Sequence, residues 1–320
     1  MSEVESAAKA IREAESLALA CHVGPDGDAL GSMLGLGIAA ANAGMSVVAS
    51  FGSPFVVADN LAFLPTDILV APGDFPDRPD TMVVFDVGSP ERLGELAPKA
   101  SQAGTLIVID HHATNTGFGD ISLVDSAAAA TAEIVLRVLD ALGWPVTPEI
   151  ATCLHTAIVT DTGRFQYANT TPATFATAAR LVEAGARPPE ISRHVYEEAP
   201  FGYLKAAASA LARAELHDDL GLVTCVVTAE DLTSAGIDWG DIDNLIDLVR
   251  MAEEADSAAV LKVLESDRVK VSLRSRGGTD VGSLAVALGG GGHRLAAGFT
   301  YTGTAEQALA EIKTLIGKHR

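Results

Sequence analysis

The run Ser16-Leu17-Ala18-Leu19-Ala20-Cys21 passes directly into His22-Val23-Gly24-Pro25-Asp26-Gly27-Asp28, and the reading of this stretch decides the fold. A short apolar segment stops at one imidazole and two carboxylates, and Gly24, Pro25 and Gly27 force the chain to turn there. Two further runs end in the same way. Met82–Phe85 stops at Asp86, and Thr105–Ile109 stops at Asp110-His111-His112. Short apolar runs without alternation are expected for strands buried on both faces. Helical patterns separate them: residues 1–15, residues 30–43 closed by Gly44, and Thr131–Leu142 stopped by Gly143 and Pro145, with another strand at Val47–Phe51. Strands alternating with helices predict an α/β unit, a parallel sheet with helices on both faces. In such sheets ligands bind at the carboxyl ends of the strands, so the acids and histidines are expected to meet on one edge.

The chain has 320 residues, enough for two domains. A helix over 173–184 stops at Gly185-Ala186-Arg187-Pro188-Pro189. The expected division is a first domain over 1–187, a linker over 188–205 and a smaller α/β domain over 206–320. In that last part Leu220–Val227, Val269–Leu273 and 296–301 read as strands, and 241–252, 283–288 and 305–317 as helices. A glycine run, Gly289 to Gly292, precedes His293.

Hydrophobic residues make up 48% of the chain and aromatics only 5%, so the cores must be built from Ala, Val, Leu and Ile. Lys and Arg total 22 against 42 Asp and Glu, a net charge of -20. That balance disfavours a grip on long nucleic acid, which calls for a basic stripe, and suits metal cations and short nucleotides. Cys21, Cys153 and Cys225 are far apart and form no Cys-x-x-Cys, which points to a reducing compartment. The acidic N-terminal stretch lacks the order of a signal peptide, so a cytoplasmic location is expected. Residues 29–58 carry no charge, but Gly31, Gly35, Gly37, Gly44, Gly52 and Pro54 read as breaks into helix, turn and strand, and no membrane span is expected.

The chemistry sits at the strand ends. Asp and neutral His without thiolate favour manganese or magnesium over structural zinc. Asp26 and Asp28 can instead cap the following helix, but capping uses one carboxylate and leaves His22 unexplained. Asp86 must be paired, metal-bound or a turn residue, because an acid after a buried strand is costly to bury. In Asp110-His111-His112 the two rings point in different directions, one for metal and one for substrate, with Asp110 able to orient a ring nitrogen. Asp161 ends a helical stretch that begins near Ile150, and Arg164 beside it can bind phosphate or cover the surface. His155 reads as a packed core residue, and His194, His217 and His319 are assigned no role. In the second part Gly289–Gly292 can bring backbone N–H groups to a phosphate or form a flexible turn, and Arg274 or Arg276 can fork onto phosphate.

The ordered set His-x3-Asp-x-Asp, strand-end Asp, Asp-His-His, Thr-Asp-Thr-Gly and Gly-Gly-Gly-His resembles the DHH phosphoesterases with a DHH-associated second domain, over nearly the whole chain. Within them the likeness is to bifunctional oligoribonucleases and phosphoadenosine-phosphate phosphatases. The resemblance implies two manganese ions, with magnesium or cobalt as substitutes. His22, Asp26 and Asp86 would hold one; Asp28, Asp86, His111 and Asp161 the other, with Asp86 bridging. It implies that His112 faces the scissile phosphate, that Asp110 supports the histidines, and that Arg274, Gly290, Gly291, Gly292 and His293 hold substrate. Residues 126–130, Ser-Ala-Ala-Ala-Ala, depart from relatives that carry more hydroxyl groups there. The implied substrates are short RNA, 3′-phosphoadenosine 5′-phosphate and cyclic or linear dinucleotides such as those of diadenylate, and a homodimer is plausible. Inorganic pyrophosphatase, a RecJ-like exonuclease and a non-catalytic nucleotide sensor are the rival readings.

Overall fold

The computed structural model describes residues 2–318 and divides the chain between Glu197 and Glu198. Met1 and His319 lie outside the described residues. The first unit holds a five-stranded, all-parallel sheet in the order β2-β1-β3-β4-β5, formed by β1 Ser16–Cys21, β2 Ser46–Phe51, β3 Thr81–Phe85, β4 Thr105–Asp110 and β5 Ile121–Val124. Side chains alternate across this sheet. Leu17, Leu19, Val83, Phe85, Ile107 and Ile109 enter one core, and Ala18, Ala20, Met82, Val84, Leu106 and Val108 enter the other. Both faces are therefore apolar, as continuous hydrophobic strands require. The first core lies under α1 Glu3–Glu13, α2 Gly27–Asn42, α4 Thr131–Leu142 and α5 Pro148–Asp161, and the second under the short α3 Ala97–Ala100 and the 3-10 segment before it. The order 2-1-3 puts the switch in winding direction at β1 and β3, so the crevice opens where His22 and Asp86 emerge.

Gly31, Gly35 and Gly37 lie inside α2, which covers the helix expected over 30–43. They are tolerated because they serve contact. A Cβ at Gly27 would meet Thr160 Oγ1 at 2.4 Å, one at Gly31 the carbonyl oxygen of Cys153 at 2.4 Å, and one at Gly35 Leu154 Cδ2 at 2.7 Å. Glycines four apart form one bare stripe, along which α2 packs antiparallel on α5. The N-terminus of one helix thus meets the C-terminus of the other, which brings Asp28 towards Asp161. The unit closes with α6 Pro172–Glu183 and α7 Pro188–Ser192.

The second unit opens with α8 Phe201–Leu211, a helix in part of the segment expected as linker. Its six-stranded mixed sheet runs β10-β11-β9-β8-β7-β6 and is parallel only between β7 and β8. The strands are β6 Glu215–His217, β7 Leu222–Val227, β8 Ser257–Glu265, β9 Arg268–Ser275, β10 Gly291–His293 and β11 Ala296–Thr302. One face carries α8, α9 Ala229–Ala235 and α10 Leu245–Val249; the other carries α11 Val281–Ala287 and α12 Ala305–Lys318. The helix expected over 241–252 is one 3-10 turn plus the short α10. Strand β8 was not anticipated. Its Ala258 and Ala259 are weak strand formers, and Lys262 at its middle is buried, with its ammonium on the Asp243 carboxylate. No described helix is long and apolar enough to cross a membrane.

Gly31→Ala tests the helix contact. The new methyl gains about 1 kcal/mol of helix propensity but must displace a backbone carbonyl, and overpacking of that kind costs about 1–3 kcal/mol. A lower melting temperature is expected, by roughly 2–4 °C per kcal/mol lost, while Gly73→Ala, where a Cβ meets nothing within 4 Å, should be silent. Calorimetry of both variants checks this.

Candidate metal centre

His22 leaves the end of β1 with its Nδ1 at 3.1 Å from its neighbour's carbonyl, Val23 O. A carbonyl only accepts, so Nδ1 carries the proton and Nε2 keeps its lone pair for the site. That Nε2 lies 3.6 Å from Asp86 Oδ2 and 3.9 Å from Asp26 Oδ1. Asp26 is the N-cap of α2, where Oδ1 accepts the N–H groups of Asp28 and Ala29 at 3.0 Å each. The capping alternative thus describes one oxygen of Asp26 but not Asp28. Asp28 is buried and reaches a different helix: Oδ2 accepts Thr131 N at 2.7 Å, and Oδ1 accepts Ala132 N at 3.1 Å and Ser32 Oγ at 3.0 Å. The first N–H groups of α4, which has no side-chain cap of its own, find their acceptor here.

Asp86 follows β3 in a left-handed conformation, φ 57°, which Asp tolerates better than most residues. Its N–H is held by Ile109 O at 3.0 Å. The turn aims the carboxylate so that Oδ2 faces His22 while Oδ1 faces His111 Nε2 at 3.5 Å. Thr131 Oγ1 donates to the same Oδ1 at 3.0 Å. His111 sets its Nδ1 3.3 Å from Ala128 O, and its Nε2 also lies 3.5 Å from Asp161 Oδ2 and 3.8 Å from Asp28 Oδ2. The adjacent ring of His112 stands edge-on, with Nδ1 at 2.7 Å from Asp110 Oδ1. Support of the two histidines is thus divided: Asp110 holds His112, and the Ala128 carbonyl holds His111. Asn115, which the sequence did not single out, donates to Asp110 Oδ2 at 2.6 Å and to Val87 O at 3.0 Å.

In the second unit Arg274 lies on β9 opposite Ala258 and Ala296, and its Nη1 donates to Leu273 O at 3.0 Å. Arg276 is committed elsewhere: its guanidinium donates to the carbonyls of Arg250, Met251 and Glu253 at the end of α10. The glycine run turns at Gly289, which is left-handed at φ 81°, and enters the edge strand β10 at Gly291. Gly290 and Gly292 have no room, since a Cβ would meet Gly298 O at 2.2 Å and Ala297 Cα at 2.5 Å, whereas Gly291 faces open space. Arg164 lies with its guanidinium carbon 4.6 Å from the centre of the Tyr196 ring.

Comparison with known proteins decides the family. The DHH family N-terminal domain matches residues 16–158 and the DHHA1 domain residues 221–318. A bifunctional oligoribonuclease and PAP phosphatase, NrnA, of Thermus thermophilus is 37% identical over 289 residues, 89% of this chain and 84% of that protein. This chain belongs to the DHH family. Among solved structures, an exopolyphosphatase-related protein from Bacteroides fragilis superposes with a TM-score of 0.89 at 24% identity, covering 99% of this chain and 96% of the other. RecJ of Thermus thermophilus in complex with Mn2+ shares the fold at a TM-score of 0.59 and 14% identity, covering 99% of this chain and 55% of RecJ.

The donor set of this DHH protein fits divalent cations. Its side chains form groups that can hold a metal: His22, Asp26 and Asp86; Asp28, Asp86 and His111; Asp86, Asp110 and His112. All donors are oxygen or imidazole nitrogen. The carboxylates also crowd one another. Burial, then the charge of Asp86, pushes Asp28 up to about 7, and burial, then the charges of Asp28 and Asp86, pushes Asp161 well above the carboxylate range. Burial works against the charged forms of His22, His111 and His112, yet the surrounding carboxylates win and hold all three above the ordinary histidine value. For Asp86 burial is outweighed by the His22 hydrogen bond and the three imidazoles, which keep it below the usual range. Concentrated negative charge of this kind is relieved by bound cations.

A pH dependence with a definite sign follows. Asp28, Asp161 and the three histidines all bind protons more tightly folded than unfolded, so in chelator the protein should become more stable as pH falls from 8 to 5. Saturating Mn2+ competes with those protons and should reverse the slope. Asp161→Asn should raise the melting temperature in chelator and shrink the rise caused by Mn2+. Thermal melts across that pH range, with and without Mn2+, measure both effects.

Proposed function

We propose that this chain is a manganese-dependent phosphoester hydrolase of short oligoribonucleotides and of 3′-phosphoadenosine 5′-phosphate, with cyclic and linear dinucleotides as further substrates. One observation carries the reading: the two oxygens of Asp86 face two different histidines, His22 and His111, as a carboxylate shared by two cations requires. His22, Asp26 and Asp86 would hold one ion, and Asp28, Asp86, His111 and Asp161 the other. Two such ions would supply charge that favours displacement at phosphorus. The protein's own groups do the rest. Tied carbonyls fix the tautomers of His22 and His111. Asp110 and Asn115 fix the ring of His112, whose raised proton affinity suits a charge-assisted hydrogen bond to a phosphate oxygen. The kinship with the Thermus thermophilus oligoribonuclease and PAP phosphatase supports the choice of substrates. Arg274, Gly290, Gly291, Gly292 and His293 would recognise the substrate, with Gly291, free of packing demands, offering its backbone to phosphate. Work in the cytoplasm and a homodimeric state belong to the same reading.

The deciding test is product analysis with a panel of di- to twenty-residue RNA, phosphoadenosine phosphate and pyrophosphate, in Mn2+ and after exhaustive chelation. Chelation should remove all activity, and Asp86→Asn should keep less than roughly a tenth of wild-type turnover. Activity that survives chelation would sink the metal assignment, and pyrophosphate as the preferred substrate would sink the substrate assignment.

Roles in the second unit separate by a different readout. Arg274→Ala and His293→Ala should bind Mn2+ as the wild type does, yet lose nucleotide turnover on the order of tenfold or more, because positioning is worth that much. With a net charge of -20, the wild type should prefer di- to tetranucleotides over long strands. Equal rates at all lengths, or variants that lose metal, would count against this.

A further inference from the structure

We propose that Asn169 is a positioning residue that ties Asp161 to the rest of the metal-ligand set, an assignment that rests on the two-metal reading above. The amide nitrogen of Asn169 donates to Ala129 O at 3.0 Å and to Asp161 O at 3.2 Å. Both partners are carbonyls, which only accept, so the amide must present its nitrogen to them and uses one N–H on each. Asp161 is the last residue of α5, where backbone carbonyls lack helical partners, and Asn169 satisfies its carbonyl from outside the helix.

The other end of the clamp matters more. Ala129 lies in the short stretch that contacts the remaining ligands of that set. Ala128 O faces His111 Nδ1, Thr131 N and Ala132 N donate to Asp28, and Thr131 Oγ1 donates to Asp86. Glu133 fixes the same residue from its amide side, with Oε2 accepting Ala129 N at 3.1 Å. Residues 128–132 therefore register Asp28, Asp86 and His111, and Asn169 adds Asp161.

The route of the chain to Asn169 is itself costly. Gly163, Arg164 and Phe165 are left-handed in succession, at φ 53°, 63° and 62°. For Arg and Phe that conformation costs of order 1–3 kcal/mol each. It is held by Arg164 N on Val159 O at 2.8 Å, by Phe165 N on Thr162 Oγ1 at 3.1 Å, and by stacking of Phe165 on Phe175. This turn reverses the chain after α5 and brings residue 169 back beneath Asp161.

The test is calorimetric titration of Mn2+ into the full-length protein, the wild type against Asn169→Ala and the isosteric Asn169→Asp, which keeps the shape but offers no N–H. Melting temperatures in chelator report folding independently. Both variants should bind Mn2+ on the order of 10–100-fold more weakly, as loss of a group supporting a ligand does. In an Asp161→Asn background the further loss from Asn169→Ala should be under about threefold, because the ligand it positions is already removed. Wild-type affinity in a folded Asn169 variant, or the same loss in both backgrounds, would overturn the clamp alone. A wild type that takes up no Mn2+ would overturn the two-metal reading and the clamp with it.

Discussion

Five carboxylates and three imidazoles meet at the carboxyl edge of the first sheet, and most of the surrounding structure serves to hold that charge together. Left to themselves, Asp28, Asp86 and Asp161 repel one another in a buried setting, as the upward shifts of Asp28 and Asp161 record. Each is therefore held by the scaffold. Asp28 takes the open N–H groups of α4, Asp86 is locked by its own left-handed backbone and by Thr131, and Asp161 is fixed at the end of α5. Hydrogen bonds to ionised groups are worth more than neutral ones, so the backbone N–H groups of α4 contribute strongly to holding Asp28.

Bringing Asp28 and Asp161 to the same centre depends on how closely two helices approach. The glycines of α2 remove the side chains that would separate it from α5, and the sacrifice of helix propensity is offset by contact along the whole interface. The Ser-Ala-Ala-Ala-Ala stretch at 126–130 works on the same economy. It has few hydroxyl groups to offer, but its backbone carbonyls and the N–H groups after it do the positioning, so its alanines are no obstacle to the site.

In the second unit the glycines follow two different rules. Gly290 and Gly292 are required by the backbone of β11, while Gly291 is not. The packing explanation therefore covers two of the four positions of the run; Gly289 is required by its left-handed turn, and Gly291 by neither. Arg274 and Arg276 divide likewise: Arg276 closes the end of α10, and Arg274 keeps most of its donors for other partners.

The sequence by itself determined the parallel α/β architecture of the first unit and marked the strand-end residues proposed as its metal ligands. Apolar runs that stop at His22, Asp86 and Asp110 are local signals, and the edge on which strand ends meet follows from parallel connectivity alone. Local pattern failed where tertiary contact overrides propensity. Alanines and a buried lysine form β8 because sheet and Asp243 receive them, and the residues expected as linker hold α7 and the start of α8, each packed on its own unit's core. Only the tertiary structure decided who holds whom: that Asp28 caps a helix about a hundred residues distant in sequence, that Ala128 rather than Asp110 orients His111, and that Asn115, Thr131 and Asn169 stand behind the ligands. Those relations run through backbone atoms and through side-chain amides and a hydroxyl whose partners only folding brings together, so residue type and spacing do not name the partners.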